Sequence, residues 1–280
     1  MRSLRPAAGP PSRRATRTTL AALTALAVLA VPAAAQATRD QARLVFTIFG
    51  AYNGGGDLWD VGVQPVRFPG FDPSEVDSLA LSRKLDAGIG IGLSATYFPG
   101  QVIGYIGEVS LLGVGYQDGC ELISPPTNAT GEVACGGLDG AEKDASMVLL
   151  SVGIVARAMS QKVISPYFRA GVGIGIGSQS SLRMLAPTDG AQGEVFVVYD
   201  DDTNTRVTPA LLVGAGVTAQ ISPGLQLRVE ARDNYTGFAA VTGPTVIDGR
   251  VPPYETQYQH IWTASIGVDI VLERKRGRRY

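Results

Sequence analysis

His260 is the only histidine in the chain, and it sits between Tyr258 and Trp262 in a run that alternates apolar and polar residues. A histidine works as a general base only with a nucleophile in hydrogen-bond reach. The serine of this run, Ser265, has the opposite parity and falls on the other face. The pattern therefore supplies no nucleophile–base pair, and Tyr258 and Trp262 read as an aromatic girdle with His260 among them.

Other chemistry-bearing groups point to structure. Gly88-x-Gly90-x-Gly92 and Gly171-x-Gly173-x-Gly175-x-Gly177 recur every second residue. A dinucleotide fingerprint needs GxGxxG spacing at a strand-to-helix turn. Glycine at every second position instead lines one face of a strand. Cys120 and Cys135 are the only cysteines, both in one proposed loop, and a disulfide is expected in an exported chain. Asp200-Asp201-Asp202-x-Asn204 is rich in oxygen but lacks the spaced ligands, central glycine and closing glutamate of an EF-hand. No cofactor is expected.

The elements that must position these residues begin after a targeting segment. Arg2, Arg5, Arg13, Arg14 and Arg17 precede an apolar core from Leu20 to Val31, then Pro32 and small residues. Residues 1–37 read as a secretory signal peptide, cleaved after Ala35 or Ala37. Without its five arginines the chain has 19 basic and 25 acidic residues, which excludes a basic nucleic-acid surface. Nowhere does an apolar run reach the roughly 20 residues of a spanning helix.

Eight stretches with period-two alternation follow, starting near 44, 82, 101, 145, 163, 207, 225 and 257. In Gln257–Glu273 the even positions are apolar and the odd ones small or polar. Successive strand side chains point to opposite faces, so each stretch has one lipid-facing and one lumen-facing side. By this parity Lys84, Asp86, Glu108, Arg157, Arg169, Arg228, Glu230, Arg232 and Asp269 face inward. Near-balanced charges in a low-dielectric lumen must pair, so a salt-bridge network is expected.

The connections alternate too. Pro99-Gly100, Gln161-Lys162 and Pro223-Gly224 read as tight turns, while 57–81, 118–143, 181–206 and 238–256 read as long loops. Those loops hold seventeen acidic and five basic residues. Divalent cations at these acidic loops are expected partners, alongside outer-membrane lipid.

Ser265-x-Gly267-x-x-Ile270-x-Leu272 resembles the C-terminal signal by which outer-membrane barrels engage their assembly machinery, although the last position is Leu272 and not an aromatic. With strand count and turn pattern, residues 38–273 resemble the small outer-membrane β-barrel family of OmpA/OmpX type. The resemblance implies an all-β, eight-stranded antiparallel up-and-down transmembrane β-barrel in the outer membrane. It also implies periplasmic chaperones as partners, both termini in the periplasm, four extracellular loops and a monomer. Residues 274–280 form a basic periplasmic tail. The fold hosts many activities and implies none by itself. The expected role is a non-enzymatic surface protein serving envelope integrity or adhesion. A narrow pore is the alternative, and a lipid-modifying enzyme the least supported reading.

Overall fold

Period-two alternation becomes a closed wall. The structure is a computed structural model that describes residues 43–67, 76–123, 129–140, 142–158, 163–177, 185–187, 195–197, 199, 206–247 and 251–273. The signal segment, the basic tail, the turn Gln161-Lys162 and the run Asp200-Asp201-Asp202 lie outside the described residues. The strands are β1 (Arg43–Gly54), β2 (Asp57–Val66), β3 (Asp77–Asp86), β4 (Gly88–Phe98), β5 (Ile103–Leu122), β6 (Glu142–Arg157), β7 (Ile164–Gly177), β8 (Leu185–Pro187), β9 (Val195–Val197), β10 (Arg206–Ser222), β11 (Leu225–Val241) and β12 (Tyr254–Glu273). A helix, α1 (Ala129–Leu138), follows β5.

Eight strands pair in the cyclic order β1–β4–β5–β6–β7–β10–β11–β12 and back to β1, every pair antiparallel. This is an all-β, up-and-down barrel. Closure leaves no backbone edge around the ring, which a wall facing lipid requires. β2 and β3 continue β1 and β4 beyond the ring, with β2 paired to β3 and β3 to the far part of β5. At the other end the β10–β11 turn is tight, with Gly224 at φ 83°, a conformation costly for residues with a Cβ.

The wall has two faces. Outside it presents Phe46, Ile48, Leu93, Val109, Val152, Phe168, Leu211, Val213, Val229, Ile266 and Ile270, all exposed. Inside it buries Glu108, Arg157, Arg169, Arg228, Glu230, Arg232 and Asp269. An apolar exterior around a charged interior inverts a soluble protein and suits a bilayer-spanning barrel. The lumen glycines make room for large neighbours. A Cβ on Gly92 would lie 2.2 Å from the Phe49 ring, and one on Gly216 would lie 2.6 Å from Tyr167.

Two sequence expectations need correction. Lys84 and Asp86 do not join the lumen network: Lys84 is exposed, and the odd residues of β3, Arg83 and Leu85 among them, are the buried set. The cause is a bulge. Asp86 pairs with Gly115 and Ile91 with Leu111, so five steps along β3–β4 answer four along β5. One extra residue exchanges the faces, and Asp86 Oδ1 accepts from the Ala87 N–H at the break. The long connections are also not plain loops. The first contains β2, the second α1, and the third β8 and β9, which pair with each other.

Candidate functional site

Glu108 on β5 is the hub of the lumen. Arg169 Nη1 donates to its Oε2 at 2.7 Å, and Arg232 Nη1 donates to its Oε1. Arg169 also meets Glu230 at 3.3 Å, and the Tyr167 hydroxyl donates to Glu230 at 2.6 Å. The strand register explains the meeting. Tyr167 and Arg169 share a face two residues apart on β7, as do Glu230 and Arg232 on β11. Nearer the tight-turn end, Asp269 accepts from Thr47 at 2.8 Å and lies 3.2 Å from Arg228 Nε. Arg157 stacks over Phe98 at 4.4 Å, Arg228 over Tyr167 at 5.1 Å and Arg232 over Phe49 at 5.3 Å. Ion pairs and cation–π contacts thus fill this half of the lumen, as its low dielectric demands.

The other half is apolar. Leu58, Trp59, Leu81, Leu112, Leu149 and Phe238 belong to one buried cluster that β2 and β3 complete. Arg83 and Asp118 form a bidentate pair within it at 2.5 and 2.9 Å, with the guanidinium 4.9 Å from the Tyr116 ring. With Lys84 read as inward, alternation implies an outward Arg83, and Asp118 falls at the start of the expected loop 118–143. A sequence signal existed: Asp118 continues the even, inward set of Tyr116 and Val114 on β5.

Gln64 joins the long connections over this core. Its Oε1 accepts from the Tyr199 hydroxyl at 2.8 Å and from the Thr245 N–H at 2.9 Å. Its Nε2 donates to Thr245 Oγ1 and to the Pro65 carbonyl, both at 2.8 Å. One buried amide therefore satisfies all its hydrogen-bonding capacity while tying three connections together. Burial pushes the Tyr199 hydroxyl well above its usual range, so it stays a donor.

Cys120 and Cys135 form a disulfide that staples α1 to the end of β5, with Cα atoms 5.3 Å apart. Closing a loop of this length is worth roughly 3 kcal/mol in the chain-entropy model. Replacing both cysteines with alanine should therefore loosen α1 while sparing the ring. Faster amide exchange over residues 129–138, with an unchanged heat-modifiable gel shift, is the expected result. A lost gel shift would show instead that barrel assembly needs the staple.

On the outer wall Tyr258 and Trp262 are exposed, with Tyr235 stacked on Tyr258 at 5.5 Å and Tyr52 tilted against Trp262 at 5.5 Å. Such a ring of amphipathic aromatics belongs at a membrane–water boundary. His260 Nδ1 pairs here with Asp233 Oδ2 at 2.6 Å, and its ring lies 4.8 Å from Tyr235. Sequence reasoning overlooked Asp233, although it is the one acid on the outward face of β11. The pair has a base and an orienting acid; among the described residues its ring neighbour is Tyr235, and no serine or cysteine hydrogen-bonds to the imidazole. At the tight-turn end, Ser265 and Gly267 face the lumen while Ile270 and Leu272 face out. No group of three His, Cys, Asp or Glu able to hold a metal occurs among the described residues.

No protein-family model matches the sequence, and no curated protein matches it. Solved structures of similar fold include the outer membrane protein OprG from Pseudomonas aeruginosa, at 10% identity over 84% of this chain and 98% of that one, TM-score 0.48. Outer membrane protein AlkL, solved in DMPC lipid bilayers, has 15% identity over 88% and 97%, TM-score 0.41. Ail, the attachment invasion locus protein of Yersinia pestis, solved with the heparin analogue sucrose octasulfate, has 13% identity over 83% and 99%, TM-score 0.38. All three are outer membrane proteins. At these values the likeness is one of fold and assigns no residue a role.

Proposed function

We propose that this chain is a non-enzymatic outer-membrane barrel whose lumen is plugged and whose long connections serve envelope integrity or surface adhesion. The carrying observation is the lumen filling: ion pairs around Glu108 in one half and a closed apolar cluster in the other. In this reading the tight turns and both termini face the periplasm. The long, acidic, disulfide-stapled connections face outward. Ser265, Gly267, Ile270 and Leu272 form the closing signal read by the assembly machinery after periplasmic chaperones deliver the chain. Divalent ions would bridge the acidic connections to anionic headgroups, and the barrel would act as a monomer.

Planar-bilayer recording tests the plug. The expected result is an unchanged baseline conductance after insertion of the folded protein, and steady single-channel openings would overturn it. Opening the mouth should be possible by design. Gln64→Ala, which cuts the clasp to Tyr199 and Thr245, should raise the frequency of transient openings without abolishing the gel shift of the folded barrel.

A further inference from the structure

β2 leaves the ring just where β1 ends. β12 pairs with β1 only from Trp262 to Glu273. From Tyr254 to Ile261 it pairs with β11 alone, and β2 pairs with β3 alone. Among the described residues, no strand pairs with the outer edge of β2, nor with the β1-side edge of β12 over Tyr254–Ile261. Beside β2 lies a cleft of ≈ 730 Å³, lined by Asp57, Trp59 and Asp60 of β2, by Lys84 of β3, by Asp139 and, from β12, by Gln257 alone. Gln259 Nε2 of β12 donates to the Asp57 carbonyl at 3.1 Å.

Three observations bear on what would fill it. Asp57, Asp60 and Asp139 face a single lysine, Lys84, because Arg83 is already engaged by Asp118. The cleft is therefore net acidic. Its carboxylates do not converge as metal ligands would, so spaced charges suit it better than one ion. The outer edge of β2, which brings Asp57, Trp59 and Asp60 into the lining, is unpaired among the described residues. A linear polyamine would meet the carboxylates but cannot pair with a strand edge. A peptide offers carbonyls, and unpaired strand edges are the usual template for adding an extended chain.

We propose that this cleft binds an extended basic peptide segment of a partner protein. Its lysine or arginine side chains would face Asp57, Asp60 and Asp139. Its main chain would run along the free edge of β2. The inference rests on the reading that the long-connection end carries the specificity of this barrel, and it names the partner chemistry.

The chain has two tryptophans, so Trp262→Phe leaves Trp59 as the only indole reporter. The folded barrel in detergent micelles is titrated with an acetylated (Lys-Thr)5 peptide and, separately, with (Glu-Thr)5. A saturable change in Trp59 emission with the first peptide only is expected. Asp57→Asn, Asp60→Asn and Asp139→Asn together should weaken it at least tenfold. N-methylation of one of the two alternate sets of peptide amides should weaken it comparably. An unchanged triple variant would overturn the site. Equal competition by spermine at matched charge would overturn the peptide and leave a polycation site. Either failure can occur while the bilayer baseline stays silent, so it is distinguishable from failure of the plugged-barrel reading.

Discussion

Glu108→Gln should destabilise the folded barrel by about 3–5 kcal/mol, the usual cost of removing one partner from a buried ion pair. Glu108 accepts from both Arg169 and Arg232, and the side chains of all three are at most 5% exposed. Glutamine keeps the volume and removes the charge. Arg169 retains Glu230 at 3.3 Å, whereas Arg232 loses its one carboxylate partner among the described residues and keeps the Phe49 ring. The buried charge left on Arg232 is the source of the penalty. Double replacement by Glu108→Leu and Arg232→Met removes both charges together and should recover most of the loss, because apolar substitutes for a buried pair are often neutral or better. Urea titration in detergent micelles, followed by the gel shift of the folded form, would measure both. A loss under 1 kcal/mol for Glu108→Gln would mean the lumen is hydrated enough to solvate Arg232, and the plug would then be a water-filled path.

The ring was legible in the sequence because its strands obey one rule throughout. β12 keeps odd residues in and even residues out from Ile261 to Ile270, so its parity could be read directly. β10 and β11 hold the same discipline, which places Arg228, Glu230 and Arg232 on one lumen face. Parity failed where the ladder gains a residue. The bulge after Asp86 exchanges the faces of β3, so Arg83 and Leu85 are buried and Lys84 is exposed. Neither residue carries a local signal of this, because the bulge is set by how β5 pairs on both sides of it. β2 was hidden for a related reason. Its pairing with β3 shifts register twice, Leu58 and Trp59 are both buried, and Gly62 and Pro65 interrupt the run. With alternation broken, a strand reads as a loop. The cleft was beyond reach of the sequence for the same reason, since its lining depends on how β2 pairs with β3.

The outer wall makes the second large prediction: Ile266→Arg should cost about 2–4 kcal/mol, the penalty for an arginine near the bilayer midplane on a barrel exterior. Ile266 is 59% exposed, so in water the change would fall within the ±0.5 kcal/mol typical of surface sites. Its position on β12 sets the depth. Trp262, in the aromatic girdle, is four residues away, roughly 13 Å along the strand, and Leu272 is six residues the other way, roughly 20 Å. The whole interval is ten residues, roughly 33 Å along the strand; at the usual tilt of 35–45° this gives a band of about 25 Å, the expected apolar height. Ile266 lies well inside it, flanked across the strands by Gly50 and Val229. Neither neighbour offers a counter-charge, so the guanidinium must either reach toward an interface or thin the membrane. Val246→Arg is the matched control. Val246 is 79% exposed in the connection between β11 and β12 and should tolerate the same substitution with little change. Both variants are read by urea titration in phospholipid vesicles. Equal, small losses at the two positions would mean that the apolar belt does not face lipid.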